Sequence, residues 1–109
     1  MSSLASFYKV ASYIDNVVLA ATVAETITKP AAGANVYNVC VLTTNADVWI
    51  RRGGTAAEPA ADVTDGTGSI LIPAGTSRIV DFRDDGGSVL ASVSVISASA
   101  ARMSLEWFR

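Results

Sequence analysis

The chain has 109 residues, half of them apolar and none of them histidine, and its formal net charge is −2. This length is typical of one domain with its own core. Nucleic-acid binding is disfavoured, because no basic cluster exceeds the pair Arg51-Arg52 and clustered cations supply most of that affinity. The longest apolar run, Val17 to Ala21, is far shorter than the ~20 residues of a membrane span. Met1 to Leu4 lack the pattern of a secretion signal, so we expect the chain to be made and kept in a cytoplasm.

The residue types also limit the chemistry. Without histidine the chain lacks the commonest general base, the Ser-His-Asp triad and the usual transition-metal ligand. Cys40, the single cysteine, lies between Val39 and Val41, which predicts a small buried residue rather than a reactive thiol. Acid–base hydrolysis would need paired carboxylates such as Glu25 and Glu106, but most acidic residues fall in predicted turns. We therefore predict no enzyme activity and no cofactor.

The first 15 residues have no clear period. Their apolar residues fit helical spacing, whereas the aromatic residues Phe7, Tyr8 and Tyr13 favour a strand. We interpret residues 1–15 as an extended N-terminal arm with a short strand, and residues 16–109 as the domain. The three rings either pack on their own domain or anchor the chain on a neighbouring subunit.

Alternating apolar and polar residues then predict short strands separated by Gly, Pro, Asn or Asp. The predicted strands are 26–28, 36–42, 47–52, 69–72, 78–82, 88–97 and 101–109. The connection from Thr43 to Ala46 is so short that strands 36–42 and 47–52 are predicted to form an antiparallel hairpin.

In strand 47–52 one face carries Val48 and Ile50, and the other carries Trp49 and Arg51. Either face can point to the core. If Val48 and Ile50 point inward, Trp49 lies half exposed beside Arg51, an arrangement that is often structural but is also seen in interface anchors.

The long loop from Thr55 to Thr67 is either functional or simply solvated. Asp62 and Asp65 lack the alternating oxygen ligands and the closing Glu of a calcium loop, so no metal site is predicted. In the last strand Ala101, Met103, Leu105 and Trp107 share one face, which we expect to face the core. Seven or eight short strands of this kind predict an all-β fold, a single antiparallel β-sandwich or jelly-roll-like domain with an N-terminal arm.

Four stretches carry a family resemblance: Ala46 to Ala57, Asp62 to Ser69, Ile72 to Gly75 and Met103 to Phe108. They resemble a group of small all-β proteins encoded among the structural genes of tailed bacteriophages. In that group a strand ending in Gly-Gly leads through an Ala/Thr loop to a Leu-Pro-Ala-Gly turn, which reads Ile-Pro-Ala-Gly here. The resemblance covers about residues 17–109.

The resemblance implies a virion structural protein, assembled in the host cytoplasm, with capsid decoration (cement) protein as its best single role. Its partners would be the major capsid protein or other virion subunits, together with copies of itself, for which the threefold sites of shells suggest a trimer. The candidate interface residues are Phe7, Tyr8, Tyr13, Trp49 and Arg51. The alternatives are a tail, baseplate or fibre-adaptor subunit, or a carbohydrate-binding β-sandwich in which Trp49, Trp107 or Phe108 forms a stacking platform.

Overall fold

A computed structural model describes residues 13–31, 36–83 and 86–108, and these residues form eight β-strands and no helix. The strands are β1 (Tyr13–Val18), β2 (Glu25–Thr28), β3 (Val39–Thr44), β4 (Val48–Arg51), β5 (Ile70–Ile72), β6 (Ser77–Asp81), β7 (Ser92–Ile96) and β8 (Arg102–Phe108). The predicted all-β class is confirmed.

The strands form two four-stranded sheets. Sheet A has the order β1-β8-β3-β6, and sheet B has the order β2-β7-β4-β5. Every pairing between these strands is antiparallel. The pairs β1-β8, β2-β7, β3-β6 and β4-β5 are nested along the chain, so the β4-β5 connection lies at the tip of one long folded ribbon.

The predicted hairpin between the strands now called β3 and β4 is wrong. β3 pairs with β6 and β8 in sheet A, whereas β4 pairs with β5 and β7 in sheet B. The short connection between them crosses from one sheet to the other. Two side chains of this connection hold it to other segments. Asn45 Oδ1 accepts a hydrogen bond from the Arg102 N–H at 2.7 Å, and Asp47 Oδ1 accepts one from the Ala74 N–H at 2.8 Å.

One hydrophobic cluster joins the two sheets. Sheet A contributes Cys40, Leu42, Val80, Met103, Leu105 and Trp107 to it; sheet B contributes Ile27, Val48, Ile50, Ile72, Val93 and Val95. The inward face predicted for the last strand is confirmed, and of the two faces of strand 47–52 the one with Val48 and Ile50 points to the core. The predicted strand 88–97 is shorter than expected, because Val89 instead bridges to Arg83 and the Leu90 N–H donates to the Phe82 carbonyl.

Trp107 is a buried member of this cluster. Its ring centroid is 5.0 Å from that of Phe82, and its indole N–H donates to Asp15 Oδ2 at 3.0 Å. Asp15 was predicted to be the last residue of the arm. The structure places Tyr13, Ile14 and Asp15 in β1, where they pair with β8, and residues 1–12 lie outside the described residues.

Candidate interaction surfaces

The pockets offer little convergent chemistry. Three open pockets formed by described residues have volumes of about 210, 270 and 370 Å³. The first contains one carboxylate, Asp81, the second contains Glu25, and the third contains none. Both carboxylates are engaged, since Asp81 binds Arg83 and Glu25 accepts from the Ala20 N–H at 2.7 Å.

The two carboxylates considered for acid–base hydrolysis lie on different sheets. Glu25 lies on β2 of sheet B, whereas Glu106 lies on β8 of sheet A, on the face that points away from the hydrophobic cluster. Residues 13–31, 36–83 and 86–108 contain no group of three side chains that could hold a metal ion. In the same ranges there is no helix long and apolar enough to cross a membrane.

Cys40 is fully buried, in agreement with its predicted role as a small core residue. Burial, and then the charge of Asp15, raise the pKa of its thiol to about 12. A thiol with this pKa is protonated at neutral pH, and the thiolate is the nucleophilic form. We therefore expect the Cys40 thiol to react slowly in the native protein.

The two described aromatic residues of the predicted interface, Tyr13 and Trp49, lie on different sheets. Phe7 and Tyr8 lie outside the described residues. Tyr13 is 38% exposed, on the edge strand β1 of sheet A, and its ring packs at 5.3 Å from that of Tyr37. Trp49 and Arg51 lie on β4, in sheet B. Tyr13 thus combines a contact within its own domain with an exposed edge.

Trp49 and Arg51 belong to the outward face of sheet B, because the alternating residues Val48 and Ile50 are buried. Trp49 is half-buried and lies between Leu71 of β5 and Ile96 of β7. These three residues form an apolar row across three strands. A row of this kind, with a Trp at its centre, is typical of an interface anchor.

The long loop covers the other end of this face. The Ala56 N–H donates to Ser94 Oγ at 2.8 Å, and Ala56 itself is buried. Asp65 forms the turn of the loop by accepting hydrogen bonds from the backbone N–H and the hydroxyl of Thr67, which lower the pKa of its carboxyl. The loop is thus packed against sheet B at Ala56, over Ser94, which pairs with Arg51 rather than with Trp49.

Sequence reasoning missed a second surface, the outward face of sheet A. The register places its residues in four successive rows: Val18 and Arg102; Asn16, Ser104, Thr43 and Ser77; Ile14, Glu106, Val41 and Ile79; and Phe108, Val39 and Asp81. Ile14, Val18 and Ile79 are 57%, 65% and 69% exposed. Their alternation was visible in the sequence, but their proximity depends on pairing between strands that are far apart along the chain.

The end of β6 beside this face is held by charge. Asp81 forms an ion pair with Arg83 at 2.7 Å, and the Arg52 guanidinium donates to the backbone carbonyls of both residues. The hydrogen bonds from Arg83 lower the pKa of Asp81 to about 2. Arg52 follows β4 in the chain, so this cluster ties the two sheets together at one edge.

Comparisons with family models, with curated proteins and with solved structures found no match to this chain.

Proposed function

We propose that this chain is a structural protein of a tailed-bacteriophage virion, and specifically a decoration protein that stabilises the head shell through contacts between subunits. The resemblance described above suggests this class. The observations that support the proposal further are the strand order of the two sheets and the apolar row of Trp49, Leu71 and Ile96 on the outward face of sheet B.

The strand order supports a β-sandwich of the jelly-roll type. In that architecture eight antiparallel strands form two four-stranded sheets, and the fold recurs in viral capsid and lectin domains. The nested pairs β1-β8, β2-β7, β3-β6 and β4-β5, with successive strands alternating between the sheets except at β4-β5, fit a ribbon rolled in this way. Because a fold hosts many functions, this likeness is support by analogy.

The contacts with the shell are assigned to the aromatic residues. Trp49, with Leu71 and Ile96 on either side and Arg51 two residues along β4, forms one anchor. The arm residues Phe7 and Tyr8, together with the exposed edge at Tyr13, form the other. The partner is the major capsid protein or another virion subunit. The proposal also includes a homo-oligomer of this chain. The threefold sites of shells suggest that this oligomer is a trimer.

A carbohydrate-binding sandwich is the rival from another class. It needs an exposed aromatic platform, and Trp107 is unsuitable because it is 1% exposed. Trp49 and Phe108 are half-buried and remain candidates. Loss of glycan binding on Trp49→Ala, measured with a glycan array, would favour this rival.

The direct test is the position of the chain in purified virions, determined by electron microscopy. The expected result is density for this domain on the outside of the head. Density on the tail or baseplate would select the adaptor alternative, and absence of the chain from the particle would overturn the proposal.

The two anchors are tested by substitution in the full-length chain. Trp49→Ala, and separately Phe7→Ala combined with Tyr8→Ala, should each weaken binding to heads that lack the protein. Lys9→Ala is the matched control in the arm. Substitution is preferable to deletion of residues 1–15, because that deletion also removes Asp15 and its hydrogen bond to Trp107.

A further inference from the structure

The outward face of sheet A carries exposed aliphatic side chains among polar and charged ones. Ile14 and Val18 lie on the edge strand β1 and Ile79 lies on the opposite edge strand β6, and each is more than half exposed. Val41 of the central strand β3 lies between Glu106 and Ile79 in the same row. Single exposed aliphatic residues are common, but a group on one flat face marks an interaction site.

The charges on this face are arranged symmetrically. Arg102 and Glu106 lie on β8 on either side of Ser104, each about 7 Å from it along the strand. Neither forms an ion pair with any residue that the structure describes. The row through Ser104 is uncharged, and its side chains bond in pairs: Ser104 with Asn16, and Thr43 with Ser77.

We propose that the outward face of sheet A binds a second copy of this chain about a twofold axis that lies along the row Asn16, Ser104, Thr43 and Ser77. This axis exchanges the rows on its two sides. Arg102 of each copy then meets Glu106 of the other, and Val18 meets Ile14. The Arg102–Glu106 contact and the Val18–Ile14 contact therefore each occur twice in the dimer, as a twofold interface requires.

Other arrangements of the same two faces are less favourable. An axis parallel to β8 would place Arg102 against Arg102 and Glu106 against Glu106, and like charges in contact oppose association. Packed sheets are rotated by roughly 30°, so rows match best near the middle of a face. β8 is one of the two central strands of sheet A, and its charges are therefore well placed to pair.

The size of the face sets the expected strength. Four strands about 4.8 Å apart and six residues of about 3.3 Å each give a face of about 20 by 20 Å. Two such faces bury about 800 Å², which lies at the low end for specific complexes. We therefore expect a dimer with a dissociation constant in the micromolar range rather than the nanomolar range.

The dimer specifies one contact of the homo-oligomer that the proposed function includes. It is tested on the purified full-length protein, without the virion. Its failure therefore leaves the location in the virion undecided, and the two proposals fail separately. Sedimentation velocity over a range of concentrations should show an even-numbered species, a dimer or a pair of trimers, that dissociates on dilution and with added salt.

The decisive variants exchange the charges. Arg102→Glu and Glu106→Arg should each raise the dissociation constant about tenfold or more, since each creates two like-charge contacts per dimer. The double variant R102E/E106R restores opposite charges and should return the constant to within about threefold of the wild type. Arg78→Glu is the control, because Arg78 pairs with the inward residue Leu42 and not with the outward rows.

A second variant tests the apolar contact. Val18→Ser, at a side chain that is 65% exposed, should weaken the dimer without lowering the melting temperature. The proposal is overturned if the wild type stays monomeric up to about 1 mM. It is also overturned if the single reversals associate like the wild type, or if the folded double variant fails to recover.

Discussion

The hydrogen bond between Trp107 and Asp15 gives the sharpest test of how the first strand is attached to the core. The indole N–H donates at 3.0 Å to a half-buried carboxylate, and the Trp107 side chain is 1% exposed. The indole has no other donor, and water does not reach it. Asp15→Ala therefore leaves a buried N–H without an acceptor.

The expected cost follows from that geometry. A hydrogen bond to a charged group contributes about 1.5–3 kcal/mol, and a buried donor without a partner costs about 1–3 kcal/mol. The desolvation of the Asp15 carboxylate offsets part of this in the wild type. We expect Asp15→Ala to lower the free energy of unfolding by about 2 kcal/mol, which corresponds to a melting temperature about 10 °C lower.

The assay is urea unfolding followed by tryptophan fluorescence and circular dichroism. Asn16→Ala is the matched control, since Asn16 is the next residue of β1 and its exposed side chain bonds to Ser104 on the outward face. Its cost should be within about 0.5 kcal/mol. In a Trp107→Phe background, Asp15→Ala should cost at least about 1 kcal/mol less than in the wild type.

Two results would refute this reasoning. One is an Asp15→Ala variant as stable as Asn16→Ala. The other is an equal cost for Asp15→Ala with and without the indole, which would mean that the bond contributes nothing.

Three further predictions follow from single residues. With a pKa of about 12, only roughly one Cys40 thiol in ten thousand is ionised at pH 8. A thiol reagent should therefore label the native protein slowly and the urea-unfolded protein fast, and rapid labelling of the native protein would contradict the burial of Cys40. Gly75→Ala, in the turn before β6 where φ is +74°, should cost about 1 kcal/mol in thermal unfolding although a Cβ there meets no neighbouring atom; an unchanged melting temperature would show that the turn adapts. Because the folded-state pKa of Asp81 is lowered to about 2, its contribution to stability is present above about pH 4 and is lost as the pH falls towards 2. Asp81→Asn should flatten that part of the curve of melting temperature against pH. An unaltered slope would exclude the Asp81–Arg83 ion pair as the source of this pH dependence.

Part of the candidate site was predictable. The alternation of strand 47–52 placed Trp49 and Arg51 on one face, and the structure has Val48 and Ile50 buried beneath them. The neighbours of Trp49 were not predictable, because Leu71 and Ile96 reach it through pairing with β5 and β7. The burial of Ser94 was not predictable either, because it depends on the long loop, whose Ala56 N–H donates a hydrogen bond to Ser94 Oγ.

The sequence by itself determined the all-β class, most of the strands and the inward face of the last strand, which carries Leu105 and Trp107. Those features follow from the two-residue period of the extended backbone, which is a local property. The tertiary structure alone decided which strands are neighbours: it separated β3 from β4, and it gathered Ile14, Val18 and Ile79 on one exposed face. Strand pairing joins segments far apart in the chain, and no local period encodes which partner buries the most apolar surface.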